Sequence, residues 1–111
     1  MKMILAILRP DRLAEIKAAL LDIGVSGMLV TEGRGVGAQE GHLERYRGLE
    51  YNVDPARLRL EVAVSDDQSD EVVEAIRKAA FTGEIVDGAI FVYALDSCVR
   101  VRTGEIGEAS V

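Results

Sequence analysis

The sequence predicts an α+β domain in which an antiparallel sheet carries two helices on one face. Three observations predict it. Apolar residues recur at helical spacing in two stretches, other short stretches carry strand chemistry, and the two kinds follow one another as strand, helix, strand, long loop, strand, helix, strand. That order fits a ferredoxin-like βαββαβ sandwich.

Residues 1–8 form an almost unbroken apolar run after Lys2, short enough for a buried strand, and Arg9-Pro10-Asp11 ends it with turn residues. Leu13, Ile16, Leu20 and Ile23 then recur at helical spacing, with Gly24 as the stop. Ser26-Gly27 turns the chain into a second strand over 28–31. Residues 31–57, TEGRGVGAQEGHLERYRGLEYNVDPAR, are long, polar and glycine-rich between patterned flanks. They are expected to project as one structureless functional connection between two strands.

Beyond it Leu58, Leu60, Val62 and Val64 alternate with Arg59, Glu61 and Ala63, the pattern of a half-buried strand. Ser65-Asp66-Asp67 supplies an N-cap and a negative first turn, and Val72, Val73, Ile76, Ala79 and Ala80 give the following helix one apolar stripe, with Thr82-Gly83 closing it. Residues 90–94 are a further strand. Val99 and Val101 alternate with Arg100 and Arg102 in a last extended piece, and 103–111 are expected to be a loosely ordered tail.

The chain of 111 residues, 49% apolar, is long enough for a single core, so 1–111 is expected to be one domain. Cys98 is the only cysteine, which rules out an intrachain disulfide, and no apolar run approaches the roughly 20 residues of a membrane span. A soluble, cytoplasmic protein is the expectation. Thirteen Lys and Arg against nineteen Asp and Glu leave a net charge of −6, which argues against nucleic acid as a partner. Two helices cover only one face of a sheet, so neighbouring copies are expected to cover the other.

Gly33, Gly35 and Gly37 alternate as GRGVG after a strand, where backbone N–H groups could approach an anion; a flexible strand exit reads equally well. On an extended segment Arg100 and Arg102 would point to one side about 6–7 Å apart, a spacing that suits two oxygens of a polyphosphate or a solvated strand face. Asp87-Gly88 reads as a turn before a strand. His42 stands alone in the long connection, so neither a metal site nor a His-assisted nucleophile is suggested. Tyr46 and Tyr51 in YRGLEY are accessible to a partner or a modifying enzyme, or are ordinary loop anchors.

With RPDRLAEIKAALLDIGVSGM, VTEGRGVGAQEGHLERYRGLEYNVD, VSDDQSDEVVEAIRKAAFTGEI, DGAIFV and VRVRTGEIGE in place, the sequence resembles the PII signal-transduction family over nearly its whole length. The resemblance implies a nonenzymatic homotrimer that binds ATP or ADP in clefts between subunits. Its projecting T-loop, about 37–54 here, would dock a target protein, an enzyme or a membrane transporter. Gly35, Gly37, Gln39, Glu61, Ala63, Thr82, Asp87, Gly88, Arg100 and Arg102 match positions lining the nucleotide site. Gln39 would help hold a magnesium bound to ATP, through which 2-oxoglutarate joins, and Arg57 would meet that effector. Arg100 and Arg102 would hold phosphates and Glu61 the adenine edge, and Tyr51 matches a tyrosine that some members have uridylylated.

The sequence also departs from the family. Ala89 stands where a lysine is usual, Glu40 and Glu84 replace two more, Ala38 replaces an arginine and Leu29 a threonine, while Arg57 stands at a usual lysine. Losing a charged phosphate contact costs on the order of 1.5–3 kcal/mol. The departures therefore imply an alternative: a divergent sensor of ADP, AMP or a small anion such as bicarbonate, or an interaction scaffold independent of nucleotide.

Overall fold

A computed structural model of the chain describes residues 1–36, 42–46, 49–53, 55–84 and 87–111, the segments 42–46 and 49–53 by backbone alone. The elements run β1 (Lys2–Leu8), α1 (Leu13–Asp22), β2 (Leu29–Arg34), β3 (His42–Tyr46), β4 (Leu49–Val53), β5 (Ala56–Val64), α2 (Asp66–Ala80) and β6 (Gly88–Ala94). Single 3-10 turns lie at Pro10–Arg12 and Glu108–Ser110. β1, β2, β5 and β6 form an antiparallel sheet in the order β2-β5-β1-β6, the arrangement of a ferredoxin-like sandwich.

Alternation decides which side of the sheet is dry. Ile4, Ala6 and Leu8 of β1 and Leu60, Val62 and Val64 of β5 are buried on one face, where Ile16 and Leu20 of α1 and Val72 and Ile76 of α2 complete the core. The other face stays open. Register places Met3, Leu5 and Ile7 there beside Tyr93, Phe91 and Ala89 on one flank and Ala63, Glu61 and Arg59 on the other. Leu29 and Phe91 are 58% and 51% exposed, so large apolar side chains face solvent in the single chain. Among the described residues no helix is long and apolar enough to cross a membrane.

Four expectations are corrected. Residues 31–57 are not structureless: β2 runs on to Arg34, β5 begins at Ala56, and β3 pairs with β4 from His42↔Val53 to Tyr46↔Leu49. The signal was two segments of five residues separated only by Arg47-Gly48, a hairpin spacing masked by polar composition. Residues 99–102 are not an extended strand. Val99 makes an isolated bridge to Ile106, and Gly104, at φ 74°, returns the chain with its N–H 2.8 Å from the Arg100 carbonyl. Val101 is fully exposed, so nothing rewards extension, and the same-side placement of Arg100 and Arg102 does not hold.

The segment 103–111 is bonded rather than loose: Gly107 N–H reaches the Cys98 carbonyl at 2.9 Å and the Ser110 hydroxyl the Glu105 carbonyl at 2.7 Å. Lastly, α2 does not close on Thr82-Gly83. It ends at Ala80 because Phe81 is already extended, at φ −68° and ψ 126°.

Candidate functional site

Between α2 and β6, one carboxylate gathers Thr82 and Gly83. Asp87 accepts from the Thr82 N–H at 2.8 Å, from the Gly83 N–H at 2.9 Å and from the Thr82 hydroxyl. Gly83, at φ 87°, allows the turn this ring needs. Gly88 closes the other end: it has φ 107° and lies so near β1 that a Cβ would stand 1.9 Å from the Ile7 carbonyl oxygen. The segment is thus fixed to α2 at one end and to β1 at the other.

The Thr82 hydroxyl first, then the Thr82 and Gly83 N–H groups and the charge of Arg9, hold the Asp87 carboxyl below the usual carboxylate range. A depressed folded value stabilises the fold only while the carboxylate is ionised. The contribution is fully present above the ordinary carboxylate range and lost as pH falls through the lower folded value. Asp87→Asn should therefore melt below the parent protein from about pH 5 to 8, and the gap should close on acidification below about pH 4. Parallel thermal melts across pH check this.

At the same end of the sheet but on the far edge, Gly35 N–H donates to the Pro55 carbonyl at 2.9 Å, closing the base of the connection from β2 to β5. Arg57, opposite Gly33 in the register, is only 8% exposed and donates to the Ala56 carbonyl at 3.0 Å. Glu61 sits mid-sheet on the open face, ion-paired with Arg59 at 2.8 Å, and Ala63 lies two residues on, on the same face beside Met3. Gly37, Ala38, Gln39 and Glu40 lie outside the described residues, and of Tyr51 only the backbone is described, opposite Glu44. Among the described residues no group of three or more His, Cys, Asp or Glu could hold a metal.

The donors a polyphosphate needs are divided. Within 82–88 the Thr82 and Gly83 N–H groups turn inward onto Asp87, and the side chains of Glu84 and Asp87 are acidic. Arg9 acts on Asp87 and Arg77 borders the adjoining cleft, but the two arginines expected to hold phosphate are elsewhere: Arg100 and Arg102 come after the opposite end of β6. That segment is anchored by Leu95 N–H on the Met1 carbonyl at 3.1 Å and by Glu108 3.8 Å from the Met1 ammonium, whereas Gly88 pairs with Leu8. The seven residues of β6 span about 20 Å. One chain therefore brings Thr82, Asp87 and Gly88 together and leaves Arg100 and Arg102 at the other end of the sheet.

Behind the loop, Leu8, Val73, Phe81, Ala89 and Ile90 line an apolar cleft of about 280 Å³ with Arg77 and Asp87 at its border. Sequence reading missed one group that shapes this end of the molecule. The Arg12 guanidinium donates from Nε and Nη2 to the Ala79 carbonyl at 3.0 and 2.7 Å, and only its charge within a turn could have drawn attention to it.

Comparison with known proteins adds what geometry alone does not. The family model "Nitrogen regulatory protein P-II" matches residues 1–105. The chain is 46% identical over 112 aligned residues to nitrogen regulatory protein GlnK of Escherichia coli K12, covering all of both chains. It is 48% identical to nitrogen regulatory protein P-II of Haemophilus influenzae, again over all of both. With the P-II protein of Rhizobium etli it shares 50% identity over 106 residues, 95% of each.

Proposed function

Because the chain belongs to the nitrogen regulatory protein P-II family, whose members regulate and do not catalyse, we propose that it is a cytoplasmic homotrimer that binds an adenine nucleotide between subunits and controls a target protein. The observation that carries this reading is the division of the site. Thr82, Asp87 and Gly88 stand at the opposite end of one sheet from the Arg100–Arg102 turn, so Arg100 and Arg102 would meet them only from a neighbouring copy.

The sheet supplies the means. β2 and β6 are its two outer strands, and its open face carries the apolar Leu5, Ile7, Leu29 and Phe91. An interface that joins one end of a molecule to the opposite end of the next is head-to-tail, and such an interface closes into a ring when its rotation permits. In the ring Gly35, Gly37, Glu61, Ala63, Thr82, Asp87 and Gly88 would bind nucleotide with Arg100 and Arg102. Gln39 and Arg57 would meet 2-oxoglutarate where magnesium is bound with ATP. The connection between β2 and β5 would dock the target and report nucleotide by a shift between two conformations, which requires that ligand bind one of them better.

A second reading has its own observation. Glu84 and the ionised Asp87 line the loop and Ala89 adds no cation, so phosphate charge is poorly matched there. This favours ADP or AMP over ATP. Calorimetric titration with ATP, ADP and AMP, each with and without magnesium and 2-oxoglutarate, separates the readings. Micromolar ATP binding strengthened by 2-oxoglutarate is the result for a nitrogen-status sensor. Preference for ADP or AMP marks the divergent sensor, and no binding to any of them defeats both.

A further inference from the structure

We infer that Arg12 is a positioning residue: by holding the last turn of α2 it sets where residues 82–88 begin and so shapes the nucleotide-facing loop. The consequence for binding rests on the proposed nucleotide function, but the geometry stands alone.

A helix leaves its last carbonyls without intrahelical partners, and the common remedy is a backbone N–H supplied by a residue in a left-handed cap. At the end of α1 a backbone N–H serves, the cap residue Ile23 donating to the Leu20 and Leu21 carbonyls. The end of α2 differs. Phe81 turns straight into extended backbone, so the chain departs without a left-handed cap. Arg12 caps it from a distance of 67 residues, with two nitrogens on the Ala79 carbonyl in a forked contact that is partly buried. Its positive charge also lies at the negative end of the α2 dipole.

The chain beyond α2 shows why this matters. Three residues past Ala79, Thr82 presents the hydroxyl and N–H that clasp Asp87. The clasp ties Thr82 and Gly83 to Asp87 and Gly88 fixes the entry into β6 against Ile7, but neither sets the direction in which the chain leaves the helix. Arg12 does. Arg9 in the same turn contributes its field at Asp87, so the Arg9-Pro10-Asp11-Arg12 turn bears on both the entry and the carboxylate of the loop.

The test uses Arg12→Ala, Arg12→Lys and, as a control that loosens the core without touching the loop, Ile76→Val, all compared at equal distance below their melting temperatures. Amide exchange at Thr82 and Gly83, normalised to core amides at Ile4 and Leu60, should rise about tenfold in Arg12→Ala, less in Arg12→Lys and not at all in Ile76→Val. Where the parent protein binds ADP or ATP, Arg12→Ala should weaken that binding about tenfold, with partial recovery in Arg12→Lys. Equal normalised exchange in Arg12→Ala and the control overturns the inference. So does parent-like affinity in Arg12→Ala. Failure of the parent protein to bind any adenine nucleotide defeats the proposed function instead, and the exchange measurement still decides the role of Arg12.

Discussion

Gly88→Ala should destabilise the protein by about 3 kcal/mol or more and abolish the nucleotide binding proposed for Thr82, Asp87 and Gly88. Two penalties combine. Alanine at φ 107° adopts a backbone conformation that L side chains rarely take, which costs roughly 1–2 kcal/mol. Its Cβ would also stand 1.9 Å from the Ile7 carbonyl oxygen and 3.0 Å from the Ile7 carbonyl carbon. Those are backbone atoms of the central strand, flanked on its other side by β5, and cannot rotate away as a side chain could. β6 must therefore part from β1 at its first residue, and the loop moves with it.

Gly83→Ala is the informative partner. Gly83 has a similar φ of 87°, but the nearest atom to its added Cβ is Phe81 Cζ at 3.9 Å, an ordinary contact. It should lose only the conformational contribution, about 1 kcal/mol. For a chain of this size, about 1 kcal/mol moves the melting temperature by roughly 4 °C. Thermal melts should thus separate the two variants by about 8 °C or more. Equal losses would show that the close approach to Ile7 contributes nothing.

Elements were legible in the sequence where local pattern and tertiary burial agree. Ile16, Leu20, Val72 and Ile76 lie at helical spacing, and Leu58 to Val64 alternate, because each set faces a single core. The antiparallel sheet with two helices on one face followed from the order of elements. Residues 99–102 misled because their alternation matches a strand, while among the described residues they make only the isolated Val99–Ile106 bridge; hydrogen bonds from Gly104 and Arg100 settle the turn instead. Of the candidate site, Asp87 and Gly88 read as a turn, yet the clasp on Thr82 and the approach to Ile7 are tertiary facts that no dipeptide encodes. Arg12 was illegible for the same reason, since its partner is a carbonyl 67 residues away.

Phe91→Glu should turn the proposed ring into single chains while leaving each chain folded. Phe91 projects from β6 on the open face, directly opposite Leu5 and 51% exposed, so a carboxylate there is solvated in the isolated chain and disturbs little. Covered by another copy, the same carboxylate loses water. Neighbours in the sheet, Leu5, Met3 and Tyr93, provide no cation to pair with it, and an unpaired buried charge costs several kcal/mol. Arg59, on the same face two strands away, is engaged with Glu61 at 2.8 Å. Each interface of a ring bears that cost, which is enough to shift assembly by more than about a hundredfold per contact. Light scattering should then give the mass of one chain with unchanged circular dichroism. Lys17→Glu, on the outer side of α1, reverses a charge at an exposed position and should leave the mass as it was. Nucleotide affinity gives the sharper discrimination. A site completed by Arg100 and Arg102 of a neighbour must vanish with the ring, whereas a site contained in one chain would survive in the monomer, and survival would reject the division of the site on which the functional reading rests.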